Sequence, residues 1–256
     1  MNLCIFFEGT GNGVAGRVTN VTRLKEACAE DVRQLLHLEP GPGTRFGAYL
    51  SGMVAGVDWR TAFRSARRWF ESSYESLPAD GTGTSIFLFG FSRGALLARH
   101  FAAWLGKLGV EVAYMGLWDT VDATAGLDVA EECPANVKSA RHAVARDETR
   151  RFFRFVPLRG DRRRVKELLF PGCHSDTGGL YEDNHLVADL ALAWIASGAG
   201  RAGVRFKKGV RFVQKLDVSA AVLHDSHALA SNLWGAFDRV RRNLKGLRLH
   251  RAAKGM

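Results

Sequence analysis

Gly90-Phe91-Ser92-Arg93-Gly94 sets a serine hydroxyl between two glycines, directly after the apolar run Ile86 to Phe89 and directly before the helical run Ala95 to Leu108. Strand, sharp turn and helix in that order make a nucleophile elbow. The turn strains the serine backbone and pushes the hydroxyl into the open. Only glycine-sized residues two before and two after it let strand and helix approach closely enough. A serine hydroxyl is a weak nucleophile near neutral pH, so it needs a histidine to take its proton and a carboxylate to hold that imidazole in one tautomer. In sheets of this kind the chain order is serine, acid, histidine.

Two acids stand at strand ends, Asp119 and Asp176. Asp176, in the glycine-rich stretch Pro171 to Gly179, is the expected acid. Asp119 is the alternative, its other readings being a pocket residue or a helix cap. Among the later histidines, His224 follows the apolar run Ala220 to Leu223 where the last triad member belongs, and is the expected base. His174 is the second candidate, read as lining the pocket, and His227 is the third. His142, inside what reads as a charged helix, is taken as an ion-pair or capping residue, and His185 and His250 as solvated. The oxyanion of such a reaction needs two preorganised amides, which Arg93 and the early loop Gly9-Thr10-Gly11 would supply. No metal cluster and no cofactor are expected; the glycine loop lacks the Gly-x-Gly-x-x-Gly spacing of a dinucleotide site.

These residues must be carried by alternating strands and helices. Leu3 to Phe7 reads as a buried opening strand, and residues from Thr19 to about His37 as one helix with Val21, Leu24, Cys28, Val32 and Leu35 on a single face. Arg45 to Leu50 reads as a second strand and Trp59 to Tyr74 as an amphipathic helix. Val110 to Trp118 reads as a strand, Leu127 to Phe153 as mainly helical, Val165 to Phe170 as a strand and Leu186 to Ile195 as a helix. A helix is expected over Ala228 to Leu244. The alternation predicts one α/β domain over residues 1–256, α/β-hydrolase-like, with a mainly parallel sheet covered by helices on both faces. A basic tail from about residue 239 would follow.

The chain has 256 residues, 46% of them apolar, and a net charge of +10 from 36 lysines and arginines against 26 acids. That surface attracts anions such as phospholipid headgroups, nucleic acid or acidic proteins. Cys4, Cys28, Cys133 and Cys173 are scattered without Cys-x-x-Cys spacing, which reads as reduced thiols in a cytoplasmic protein. Neither a signal peptide nor a membrane span is legible, so export would require a dedicated machine.

Six ordered motifs then point to one family: Phe6-Phe7-Glu8-Gly9-Thr10-x-Asn12, Asn20-Val21-x-Arg23-Leu24, Gly90-Phe91-Ser92-Arg93-Gly94-Ala95, Leu117-Trp118-Asp119-Thr120-Val121, Ala140-Arg141-His142-Ala143-Val144-Ala145-x-Asp147-Glu148, and Phe170-Pro171-Gly172-x-His174-Ser175-Asp176-x-Gly178-Gly179. Over about residues 1 to 235 the chain resembles the α/β-hydrolase family called domain of unknown function 2235, which includes phospholipase effectors of type VI secretion systems. The resemblance implies a Ser92, Asp176, His224 hydrolase of phospholipid acyl esters; export and a neutralising partner protein stay open. The family usually opens with Asp-Gly-Thr where this chain has Glu8-Gly9-Thr10, and its region around Gly52 to Gly56 is fuller than here. The basic stretches Arg159 to Lys166 and Arg239 to Lys254 read either as a contact for anionic membrane or as a solvated face and a frayed tail. Two further readings stay open: an esterase or thioesterase for small soluble esters, and a non-catalytic basic protein binding nucleic acid, the latter not expected.

Overall fold

The computed structural model describes residues 1–10, 18–41, 59–75, 83–122, 129–151, 153–212, 220–226 and 242–251. Its core is a seven-stranded sheet in the order β2-β1-β3-β4-β5-β6-β7, every neighbouring pair parallel. The strands are β1 Asn2–Phe7, β2 Gln34–Glu39, β3 Ser85–Phe91, β4 Val112–Trp118, β5 Ala140–Ala145, β6 Val165–Phe170 and β7 Arg248–Leu249. The helices are α1 Asn20–Ala27, α2 Trp59–Glu75, α3 Arg93–Lys107, α4 His174–Gly178 and α5 Leu186–Arg201.

Alternation along the strands divides the core. Leu3, Ile5 and Phe7 of β1 and Ile86 and Leu88 of β3 pack with α2 and α3 on one face. Cys4 and Phe6 of β1 and Phe87, Phe89 and Phe91 of β3 pack with α1 and α5 on the other. Strands buried on both faces need apolar residues at nearly every position, hence continuous runs rather than polar alternation. All four cysteines are buried and unpaired.

Two expected helices are corrected. The first stops at Ala27, where Cys28 turns extended, and the chain re-enters the sheet as β2 after a turn in which Gln34 N–H donates to Asp31 O at 2.9 Å. Val32 and Leu35 continue the helical period by coincidence; Val32 is 87% exposed. In the stretch expected to be helical around residue 140, the chain forms β5, with all six residues buried. Arg141 and His142 interrupt its apolar pattern because each has a polar partner inside the fold. His142 Nε2 accepts from Thr120 N–H at 3.0 Å, which leaves Nδ1–H to donate to Glu167 at 2.8 Å. The expected strand at 45–50 and the loop at 52–56 lie outside the described residues. Of the expected helix over 228–244 only 242–244 are described, and they are irregular. The segment that follows is docked against the sheet as β7.

Candidate active site

The carboxyl ends of β3, β4, β5 and β6 converge, and each contributes a polar residue. Ser92 follows β3 with φ 60° and ψ −128°, a conformation that L residues rarely adopt. It is held there because its N–H donates to Trp118 O at 3.0 Å while α3 begins at the next residue. The glycines are steric requirements. A Cβ on Gly90 would overlap the backbone of Gly94 and Ala95, and one on Gly94 would overlap the carbonyl oxygens of Phe7 and Glu8. Gly94 therefore brings the first turn of α3 against the end of β1, the start of the expected oxyanion loop.

Two Asp–His pairs lie beyond the elbow. Asp119, at the end of β4 with φ 39°, is wholly buried and accepts from His174 Nδ1 at 2.6 Å. His174 opens α4 after β6. Its ring stacks on Phe91, the residue before Ser92, at 4.5 Å between centroids, and meets Phe153 edge-on at 4.9 Å. The other oxygen of Asp119 accepts from Ala145 N–H at 2.9 Å. Arg242 binds both oxygens, at 2.6 and 3.1 Å, and also donates to Phe153 O at 2.8 Å. Burial alone would raise the Asp119 pKa, but Arg242 and His174 outweigh it and hold the carboxyl below the usual range. For His174 burial dominates over Asp119, so its pKa falls and the imidazole is neutral at neutral pH.

Asp176 lies in the first turn of α4, where its Oδ2 accepts from Cys173 N–H at 2.8 Å as a helix cap. Its Oδ1 meets His224 Nδ1 at 2.6 Å. The Nε2 of His224 meets Asp183 Oδ2 at 3.1 Å, and the ring stacks on Tyr181 at 3.7 Å. Burial lowers the His224 pKa, but the two carboxylates more than compensate and raise it. The two imidazoles thus have opposite electrostatics: one buried and kept neutral, the other near the surface between two acids.

Glu148, after β5, joins the groups. It accepts from Arg150, from His174 N–H at 3.2 Å and from Ser226 Oγ at 3.1 Å, and although burial opposes ionisation, Arg150 holds its pKa at about 2. Near β1, the carboxylate of Glu8 accepts from Thr19 at 2.7 Å, from Thr22 and from Gly9 N–H at 3.2 Å. Glu8 therefore ties the loop to the start of α1 while turning the Gly9 amide towards itself. Thr10 Oγ1 is buried with no hydrogen-bond partner. Arg93, the first residue of α3, sits beside Ser92. Gly11 and His227 lie outside the described residues. Among the described residues no group of three or more His, Cys, Asp or Glu side chains could hold a metal ion, and no helix is long and apolar enough to cross a membrane.

Four contributors have no local sequence signal: Glu148 as a hub, Arg242, Asp183 and Tyr181. Arg242 is 123 residues from Asp119 and looks like any member of a basic run.

The model of a family described as type VI secretion system phospholipase effector, Tle1-like, catalytic domain matches residues 1–111 and 109–198. The chain is similar to an uncharacterized protein from Pseudomonas aeruginosa of known crystal structure, at 19% identity over 81% of this chain and 47% of that one, with a TM-score of 0.61. It is also similar to the Tle1 effector in its structure bound to the VgrG spike of the type 6 secretion system, at 20% identity over 71% of this chain and 51% of that one, with a TM-score of 0.52. The chain spans about half the length of either structure, and the likeness is one of fold. No protein of curated function matches it.

Proposed function

We propose that this chain, which belongs to the type VI secretion phospholipase effector family with a Tle1-like catalytic domain, hydrolyses the acyl esters of phospholipids with Ser92 as nucleophile, His174 as base and Asp119 as acid. The observation that carries the choice of partners is the buried pair Asp119 Oδ2 to His174 Nδ1 at 2.6 Å, with the His174 ring stacked on the residue preceding Ser92. With Nδ1 committed to Asp119, Nε2 is the nitrogen left for the serine. The order serine, acid, histidine is also kept.

In this reading Ser92 Oγ attacks the ester carbonyl carbon as its proton passes to His174 Nε2, and the imidazolium is stabilised by Asp119. The backbone N–H of Arg93 and an amide of the loop beginning at Thr10 take the oxyanion; with Gly9 N–H directed at Glu8, the following residues supply the second donor. Collapse expels the lysophospholipid alkoxide, which takes the proton back from His174. Water, deprotonated by the same nitrogen, then splits the acyl-serine to release the fatty acid and restore Ser92. Delivery by a type VI machine and capture by a neutralising protein belong to the same proposal.

A second reading keeps Asp176 and His224 as the pair, favoured by their own 2.6 Å contact. Against it, His224 Nε2 faces Asp183. Fluorophosphonate labelling separates the two. His174→Ala is expected to slow Ser92 labelling by about 10³-fold or more, and His224→Ala by tenfold at most. The reverse order selects the second reading, and undiminished labelling of Ser92→Ala ends both. Fatty-acid release from vesicles, compared with hydrolysis of short-chain p-nitrophenyl esters, separates a phospholipase from an esterase for small soluble substrates.

A further inference from the structure

We infer that the basic groove along the β6–β7 edge of the sheet binds anionic phospholipid headgroups, which makes anionic bilayers the preferred substrate surface; this rests on the hydrolase reading above. The groove encloses about 1140 Å³ and is lined by ten arginines and lysines against two glutamates. Many of these cations are committed within the fold: Arg150 to Glu148 and Arg242 to Asp119 are two examples. Four are not. Arg162, Lys166, Lys245 and Arg248 are exposed, and their side chains make no hydrogen bond or ion pair among the described residues. Uncompensated charges gathered in one concavity focus the field of a chain already at +10.

The groove is continuous with the catalytic end. Phe153, which packs against His174, and Arg242, which binds Asp119, both line it. The segment 220–226, tied to the same end through Ser226 and Glu148, exposes Val222 by 49% and Leu223 by 39%. A cationic groove that reaches the acyl-transfer site, with apolar side chains exposed on a segment tied to the same site, matches a surface whose phosphates lie over its acyl chains.

The test uses the full chain carrying Ser92→Ala, so that vesicles stay intact, with and without Lys166→Gln, Lys245→Gln and Arg248→Gln together. Binding is read by cosedimentation with vesicles of phosphatidylglycerol or of phosphatidylcholine. The triple change is expected to weaken binding to phosphatidylglycerol about 100-fold, at roughly fivefold per cation, with an unchanged unfolding midpoint. With Ser92 restored, hydrolysis of those vesicles falls in parallel, and the chain prefers phosphatidylglycerol over phosphatidylcholine. Equal binding with and without the triple change overturns the inference, as does equal binding to both lipids or tighter binding to double-stranded DNA at the same salt. If binding is lost as expected but no vesicle is ever hydrolysed, the lipid site stands and the hydrolase reading fails.

Discussion

Removing the side chain of Ser92 in two ways tests whether the elbow stores strain. At φ 60° and ψ −128° a Cβ crowds the backbone, which costs about 1–3 kcal/mol at a non-glycine residue. Ser92→Ala keeps the Cβ and so keeps the strain. Ser92→Gly releases it, at a cost of about 0.5–1 kcal/mol in extra freedom of the unfolded chain. The glycine variant should therefore be more stable than the alanine variant by about 0.5–2 kcal/mol, where at an ordinary site it would be less stable. Both variants should be inactive towards ester and fluorophosphonate. The assay is reversible urea unfolding, comparing midpoints at equal slope, because an altered slope would mean an altered denatured state. A glycine variant less stable than the alanine variant refutes the reasoning: the elbow would then be a turn that tolerates its Cβ.

Other outcomes follow from the two pairs. Arg242→Gln leaves the wholly buried Asp119 carboxylate without its bidentate partner, and an uncompensated buried charge costs about 3–5 kcal/mol. Because the Asp119 pKa is lowered in the folded state, this contribution is full above the ordinary carboxylate value and declines as pH falls through the folded one. Urea midpoints should differ more at pH 7 than at pH 3, and a loss below about 1 kcal/mol at pH 7 counts against the clamp. Hydrolysis of a soluble ester should lose its acid limb at a pH below the usual histidine value near 6.5, since burial keeps His174 neutral; a midpoint above 6.5 contradicts His174 as the base. His224 has the opposite sign: its pKa is raised in the folded state, so its contribution is complete below the unfolded value and lost as pH rises through the folded one. The stability advantage of the wild type over His224→Gln, measured at pH 5.5 and 8.5, should be larger at 5.5, and an equal advantage rejects the bridge to Asp176 and Asp183.

The errors of the sequence reading have a common cause. The helix extended past Ala27 because Val32 and Leu35 keep its period, yet the residues between turn the chain back towards β1 through contacts with residue 205: Arg205 pairs with Asp31 at 2.6 Å and Gln34 donates to Arg205 O at 2.7 Å. β5 was hidden because His142 is a polar residue in a strand whose partners, Thr120 and Glu167, come from other elements. A local pattern shows what a residue prefers, not which distant group will satisfy it.

What the residues determine by themselves is therefore what is local. The apolar runs of β1, β3 and β4 announce a sheet buried on both faces, and the Gly90, Ser92, Gly94 spacing announces a strained turn, because backbone sterics act over a few residues. The catalytic candidates were also legible, since Asp119, Asp176, His174 and His224 all stand out by type and position. So was one pairing, that of Asp176 with His224, which meet at 2.6 Å. Only the folded chain sets His174 on Asp119 beside Phe91, adds Asp183 to His224, and brings Arg242 to Asp119. Such contacts join groups from 41 to 123 residues apart, and they follow from strand order and from the demand that every buried charge meet its opposite.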